Sequence, residues 1–163
     1  LMTFVDPSLD PLGQGYNVRQ AIIAVGAGGW FGRGLGFGSQ SHLKFLPESQ
    51  TDFIFAVVAE ELGFIGVTLV IVAFGLLFYR IYLHTKRAKD DFSSFLLLAV
   101  GTILFLQFFV NVGMNLGLLP VTGLGLPLVS YGGSSLVMVF VLLGIVQSIV
   151  VGVGRSRSMR PNR

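Results

Sequence analysis

Three long apolar stretches occupy the last two thirds of the chain, and short polar or basic segments separate them. They cover residues 53–79, 92–119 and 134–153, and each contains few charged positions. A helix of about 20 mostly apolar residues crosses the ~30 Å hydrocarbon core of a bilayer. The pattern therefore predicts three transmembrane helices, which form a membrane domain at residues 52–155.

Residues 1–51 show no such stretch, and we expect them to form a loop region outside the bilayer core. Residues 16–25 place apolar side chains on one side of a helix, which predicts an amphipathic helix that is too short to span. Residues 26–38 contain seven glycines among aromatic residues. Such backbone could approach a ligand or a neighbouring helix closely, or form a packed connector with interfacial rings.

The composition agrees with this pattern. The chain has 163 residues, of which 53% are hydrophobic and 12% charged, and its mean hydropathy is +0.79. These values exclude an ordinary soluble domain and predict an all-α integral membrane protein, a polytopic helical bundle. The absence of cysteine excludes disulfides and thiol chemistry.

The basic residues predict the orientation in the membrane. Eight of the eleven lie either between the first two spans or after the third. Two crossings separate these clusters, so both can lie on one side, which the positive-inside rule makes the cytoplasm. Residues 156–163 are then a cytoplasmic tail, whereas Asp52 and the loop at 119–133 are exoplasmic. Because topology explains the net charge of +3, a nucleic-acid partner is not expected.

The second span carries a polar stripe, because Gln107, Asn111 and Asn115 recur every four residues. Such a stripe indicates either helix packing or contact with a substrate. The loop that follows is rich in proline and glycine, which predicts a re-entrant, cavity-lining segment. At the start of the third span, serines such as Ser134 could cap the helix or bind an anion.

Asp52 stands where the polar N-terminal region becomes the first span. This position favours a helix N-cap, and a carboxylate at the membrane surface could also accept a proton. Glu60, eight residues later, must face a cavity or a partner or be protonated. His42 and His84 are isolated, so the sequence indicates neither a metal site nor a Ser/His/Asp arrangement.

Several motifs together resemble the SEDS family of cell-wall polymerases, which includes RodA, FtsW and SpoVE. The resemblance extends from Asp10 to about Val153 and corresponds to the C-terminal part of a longer polytopic protein. Its motifs are Phe45-Leu-Pro-Glu48, Thr51-Asp-Phe-Ile-Phe55, Glu60-Glu-Leu-Gly63, Asn111, Gly117-Leu-Leu-Pro-Val-Thr-Gly123 and Ser130-Tyr-Gly-Gly-Ser-Ser135. The sequence around residues 111–123 is more similar to the RodA branch than to FtsW. Gly125 departs from the family, which usually has proline there.

The resemblance implies a peptidoglycan glycosyltransferase that polymerises lipid II at the outer face of the bacterial cytoplasmic membrane, together with a class B penicillin-binding protein. It maps the family's essential acid onto Asp52, as general base of an inverting transfer from an undecaprenyl-pyrophosphate donor. The exoplasmic cations could meet the pyrophosphate or anchor the loop to lipid headgroups. No cofactor is identified, although a divalent cation could share that task. The candidate substrate-binding residues are Arg19, Arg33, Lys44, Glu48, Thr51, Glu60, Asn111, Ser130, Tyr131 and Ser134.

Two other functions fit the same features. A transporter or flippase segment would use Glu60 and the interrupted loop as a gate, and it would move a lipid-linked precursor between leaflets without forming glycosidic bonds. Alternatively, this part of the protein serves as a docking surface for the membrane helix of the penicillin-binding protein, and catalysis takes place elsewhere.

Overall fold

The computed structural model describes residues 14–36, 51–88 and 90–158, and these residues form helices and loops without a strand. The helices are α1 (Gln14–Ala27), α2 (Ile54–Arg87), α3 (Asp91–Asn115) and α4 (Gly133–Ser158). Three of them are long and apolar enough to cross a membrane, over Ile54–Arg87, Asp91–Asn115 and Gly133–Gly152. The predicted all-α fold with three spans is thus confirmed for the described residues.

The helix ends differ from the apolar limits in the sequence for local reasons. α2 continues beyond residue 79, and its last turn contains His84, Lys86 and Arg87, where basic side chains favour the negative end of the helix dipole. α3 ends at Asn115 rather than at residue 119, because Gly117 adopts a left-handed φ of 71° that ends the helix.

The N-terminus of α3 is capped by an exposed carboxylate. Asp90 accepts hydrogen bonds from the Ser93 hydroxyl at 2.6 Å and from the Ser93 backbone N–H at 2.9 Å. These bonds favour the charged form and hold the pKa of Asp90 below its usual range. The start of α3 is therefore defined by a local cap.

Two clusters of buried side chains hold the helices together. The larger one joins α2, α3 and α4 through Ile81, Leu97, Val100, Leu104, Val139 and Val146. The smaller one packs α1 against the beginning of α2 through Ala21, Ala24, Phe53 and Ala56. Small side chains in α1 allow this close approach, and the result fixes the start of α2 next to the N-terminal region.

α2 is interrupted at Gly63, where φ is 66° and ψ is −160°. The glycine-rich turn enters this break and pairs with it through backbone hydrogen bonds. They join Arg33 N–H to Glu60 O (2.9 Å), Gly34 N–H to Glu61 O (3.1 Å), Phe64 N–H to Gly29 O (2.9 Å) and Ile65 N–H to Trp30 O (3.3 Å). We call this pairing of residues 28–34 with residues 60–65 the glycine clasp.

The glycine clasp requires its glycines, because a Cβ at Gly28, Gly32 or Gly63 would overlap the backbone of the opposite segment. Gly63 lies about 14 Å along the axis from the start of α2, by the helical rise of 1.5 Å per residue. Irregular backbone at such depth is tolerated where protein groups satisfy it. The sequence pattern suggested an unbroken first span, whereas the structure shows a helix that receives a loop.

Candidate functional site

Asp52 lies half-buried in a corner between α3 and the loop that follows it. Its backbone carbonyl accepts hydrogen bonds from the side-chain amides of Asn111, at 2.9 Å, and Asn115, at 3.1 Å. Its carboxylate lies beside Gly123, since a Cβ built on that glycine would be 3.8 Å from Asp52 Oδ2. The position of Asp52 is therefore set through its backbone by a neighbouring helix.

The start of α2 is capped from another helix. The N-cap position belongs to Phe53, one residue after Asp52. The backbone N–H of Ala56 instead donates to Asn115 Oδ1 at 3.1 Å, although the two residues are far apart in sequence. The amide of Asn115 thus satisfies one of the N–H groups that a helix start leaves without an intrahelical partner. The prediction that Asp52 is the N-cap residue of the first span is therefore wrong, because Phe53 occupies that position.

The polar stripe of α3 binds backbone carbonyls along its whole length. Gln107 Nε2 donates to Gly125 O at 3.3 Å, and Asn111 Nδ2 donates to Leu124 O at 2.7 Å. Asn111 is fully buried, and both hydrogens of its amide are used by carbonyls. The structure therefore gives Asn111 a positioning role, and the loop after α3 folds back along that helix.

Ser130 links the same loop to the residue before Asp52. It is 6% exposed, and its hydroxyl accepts from Leu126 N–H at 2.6 Å and donates to Thr51 O at 2.5 Å. The carbonyls of Thr51 and Asp52 are consequently both held, one by Ser130 and the other by α3. Two consecutive peptide groups fixed from different directions leave the backbone little freedom at the candidate base.

The other sequence-predicted residues lie in different surroundings. Tyr131 is 77% exposed, and Ser134, Arg19 and Arg33 are also exposed. Arg33 Nε donates to Ala27 O at 3.4 Å, within the same polypeptide segment. Glu60 is completely buried, and its backbone carbonyl accepts from Arg33 N–H in the glycine clasp. Lys44 and Glu48 lie outside the described residues.

The structure thus brings together four of the predicted residues, which are Thr51, Asp52, Asn111 and Ser130. Asn115 was recognised in the polar stripe but not as part of the site, although it contacts both Asp52 and the start of α2. Its signal was the spacing of four residues from Asn111. Among residues 14–36, 51–88 and 90–158, no group of three or more His, Cys, Asp or Glu side chains could hold a metal ion.

An open groove lies next to this corner. Its volume is about 610 Å³, and it separates the first turns of α2 from the start of α4. The lining residues are Ile54, Val57, Val129, Ser130, Tyr131, Gly132, Gly133 and Leu136. Ser130 lines this groove and also bonds the carbonyl of Thr51, whereas Thr51 and Asp52 are not among the lining residues.

Known proteins are similar to this chain in sequence and in fold. The family model for the cell cycle proteins FtsW, RodA and SpoVE matches residues 1–153. Peptidoglycan glycosyltransferase MrdB of Escherichia coli strain K12 is 48% identical over 149 residues, which are 91% of this chain and 40% of MrdB.

Two solved structures are similar. One is a chain from a study of how a peptidoglycan synthase complex coordinates polymerization and crosslinking, with a TM-score of 0.77 and 32% identity over 93% of this chain and 40% of that one. The other is a mutant of the rod shape determining protein RodA of Thermus thermophilus, with a TM-score of 0.60 and 37% identity over 80% of this chain and 38% of RodA.

The chain spans about two fifths of the length of these relatives. The family match nevertheless extends through all three candidate spans and through every residue of the Asp52 corner. The resemblance noted from the sequence motifs is therefore confirmed. This multi-pass membrane chain belongs to the FtsW, RodA and SpoVE family of cell cycle proteins.

Proposed function

We propose that this chain supplies the general base of a peptidoglycan glycosyltransferase, which polymerises lipid II at the outer face of the cytoplasmic membrane. The observation that supports it most directly is the half-buried Asp52, whose backbone is held by Asn111 and Asn115 beside the glycine at position 123. The name of the relative MrdB, a peptidoglycan glycosyltransferase, supports the reaction class.

In the proposed reaction, the Asp52 carboxylate takes the proton from the 4-hydroxyl of the acceptor GlcNAc. The hydroxyl oxygen attacks the anomeric carbon of the donor with inversion, and undecaprenyl pyrophosphate leaves. A general base must reach hydrogen-bonding distance of the proton and contributes about 10²- to 10⁴-fold to the rate. Rigid backbone at residues 51 and 52 favours this function, because small displacements of a catalytic group cost much of its effect.

The leaving pyrophosphate needs compensating positive charge. Arg19 and Arg33 are exposed at the N-terminal side of the structure, so their guanidinium groups are accessible to a phosphate. Together with Lys44, they are the cations that we assign to this role, which a divalent cation could share. We also propose that Asp52 is exoplasmic and that the C-terminus is cytoplasmic. The basic residues in the last turn of α2 support this orientation, because positively charged segments favour the cytoplasmic side.

We also propose a class B penicillin-binding protein as the partner. The similar chain from a study of polymerization and crosslinking in a peptidoglycan synthase complex supports this assignment. α3 and α4 each leave large apolar side chains exposed, among them Phe95, Phe109 and Phe140. A single membrane helix could pack on such faces, and crosslinking along them would locate it.

The decisive experiment replaces Asp52 by asparagine in the complete protein and measures glycan synthesis from labelled lipid II, with and without the transpeptidase partner. Asp91→Asn is the matched control, because Asp91 is an exposed acid at the opposite end of α3. We expect Asp52→Asn to insert normally and to lose at least about 100-fold in rate, as expected for removal of a general base. Retained polymerisation would remove Asp52 from the mechanism.

A second function is favoured by one specific observation, the interrupted α2. Broken helices next to buried ionisable residues are typical of transporters, and the break at Gly63 lies beside the buried Glu60. A flippase would move a fluorescent lipid-linked precursor between the leaflets of a vesicle and would form no glycosidic bond. Measurement of both products from one preparation separates the two functions.

A further inference from the structure

We propose that Gly123 keeps open the side of the Asp52 carboxylate from which the acceptor hydroxyl approaches. This inference rests on the proposed function and adds to it a residue that controls access to the base. Gly123 lies in the loop after α3 and has a left-handed φ of 71°. A Cβ built on it would be 3.8 Å from Asp52 Oδ2. Any side chain at position 123 would therefore lie directly against the group that takes the proton.

The space beside Asp52 Oδ2 is a gap in the described structure. Apart from the chain neighbours of Gly123, this oxygen is the one atom of residues 14–36, 51–88 and 90–158 that lies within 4 Å of the built Cβ. By contrast, a Cβ on Gly113 would be 2.6 Å from Leu119 Cδ1, so a neighbouring side chain already fills that space. Gly123 therefore borders a gap next to the carboxylate, whereas Gly113 belongs to a packed contact.

One buried side chain sets the width of this gap. Asn111 Nδ2 donates to Asp52 O at 2.9 Å and to Leu124 O at 2.7 Å. The same amide thus binds the carbonyl of the candidate base and the carbonyl of the residue after Gly123. On the other side, Val121 packs against the smaller buried cluster between α1 and α2. Because the loop is attached before and after position 123, it has little freedom to move away from an added side chain.

An added methyl group would restrict the approach to the base. The hydroxyl oxygen must lie about 2.6–3.2 Å from the carboxylate oxygen, and a carbon atom keeps other heavy atoms about 3.5 Å away. With a Cβ 3.8 Å from Asp52 Oδ2, these distances exclude the hydroxyl oxygen from directions within about 60° of the line to position 123. A sugar hydroxyl needs still more room, because the ring carbons that carry it must also avoid the methyl group. Glycine leaves this sector available to the acceptor.

The left-handed conformation by itself also favours glycine, so the test needs a matched control. Gly36 has a φ of 77°, and a Cβ there would meet no atom of the described residues within 4 Å. Alanine carries similar backbone strain at positions 36 and 123, but only at position 123 does it approach Asp52 Oδ2. Asparagine enters the left-handed region more readily than alanine. Gly123→Asn therefore fills the gap with less strain than Gly123→Ala.

Chemical labelling of Asp52 in the complete protein tests whether the gap gives access to the carboxylate. The probe is a water-soluble carbodiimide with glycine ethyl ester, and mass spectrometry compares labelling of Asp52 with that of the exposed Asp91. We expect Gly123→Ala and Gly123→Asn to slow labelling of Asp52 several-fold, and the same substitutions at Gly36 to leave it unchanged. A substitution that only loosens the loop would expose the carboxylate and speed up its labelling. Faster or unchanged labelling in the Gly123 variants would overturn the proposal.

Kinetics with labelled lipid II separate this inference from the proposed function. The added side chain acts when the hydroxyl reaches the base, so kcat should fall about tenfold or more in both Gly123 variants while KM changes little. The Gly36 variants should keep wild-type values. If wild type makes glycan and the Gly123 variants match their Gly36 counterparts, or raise KM alone, the assignment of Gly123 fails and the proposed function stands. If Asp52→Asn retains the wild-type rate, the proposed function fails, while labelling of Asp52 still tests the gap.

Discussion

Gly32 and Gly36 provide a matched pair of substitutions for testing the glycine clasp. Both have a left-handed backbone conformation, with φ of 76° and 77°. A Cβ at Gly32 would overlap the backbone of Glu61, whereas a Cβ at Gly36 would meet nothing within 4 Å. Alanine at either position therefore carries the same conformational strain, and only Gly32→Ala must also push the loop out of the break in α2.

The difference between the two variants can be worked out from the hydrogen bonds. A non-glycine residue in the left-handed region costs about 1–2 kcal/mol, and this cost applies to both variants. The glycine clasp contains four backbone hydrogen bonds with donor–acceptor distances between 2.9 and 3.3 Å. At a net contribution of about 1 kcal/mol each, their loss would add about 4 kcal/mol for Gly32→Ala alone. This addition is a large fraction of the 5–15 kcal/mol by which proteins are typically stable.

The assay is unfolding of the complete protein in mixed micelles with increasing SDS, followed by far-ultraviolet circular dichroism. Amide hydrogen exchange supplies the local measurement, because the N–H groups of Phe64 and Ile65 donate across the clasp. Gly32→Ala should lower the midpoint strongly and expose both amides, while Gly36→Ala should shift the midpoint slightly and leave them protected. Equal effects of the two substitutions would show that the clasp does not stabilise the fold.

Two further predictions concern helix caps. Asn115→Leu should lower the unfolding free energy by about 1–3 kcal/mol, because the buried N–H of Ala56 loses its partner, while the carbonyl of Asp52 keeps its bond from Asn111. Gln107→Leu breaks one longer, part-buried bond and should lower it by less than about 1 kcal/mol. Equal losses would argue against capping of α2 by α3. Because the hydrogen bonds from Ser93 hold the pKa of Asp90 low, the cap stabilises α3 at pH values above the ordinary carboxyl pKa. This stabilisation is lost as the pH falls through the lowered pKa. Amide protection at Ser93 should therefore decline on acidification in wild type and not in Asp90→Asn, and an identical pH profile in both would contradict this linkage.

The sequence predicted those parts of the fold that have a periodic side-chain signal. The three spans follow from long apolar stretches, and the polar stripe from the spacing of Gln107, Asn111 and Asn115. The glycine clasp has no such signal, because backbone groups make its contacts and glycines have no side chain to form a pattern. The bond from Ser130 to Thr51 joins residues 79 positions apart, and neither its existence nor its geometry follows from local sequence.

The sequence predicts the candidate base, Asp52, but it does not predict the contacts that hold this residue in place. The sequence offered Asp52 as a cap for its own helix, whereas the structure places the cap on Asn115 and uses the Asp52 carbonyl as an acceptor. Asn115 thus caps the start of α2 and, together with Asn111, holds the carbonyl of Asp52. The start of the helix and the position of the carboxylate are therefore determined by one set of contacts.

Gly125, where the resemblance to the SEDS family predicts proline, packs against Ser130 in the loop after α3. A Cβ at this position would lie 2.8 Å from Ser130 Cβ and 3.4 Å from Thr51 O, so any larger residue requires the loop to shift by some tenths of an ångström. Glycine lets Ser130 approach closely enough to bond Thr51 O and Leu126 N–H at once. Gly125 therefore lies where the loop approaches the residue before the candidate base, and the packing around Ser130 favours a glycine at this position.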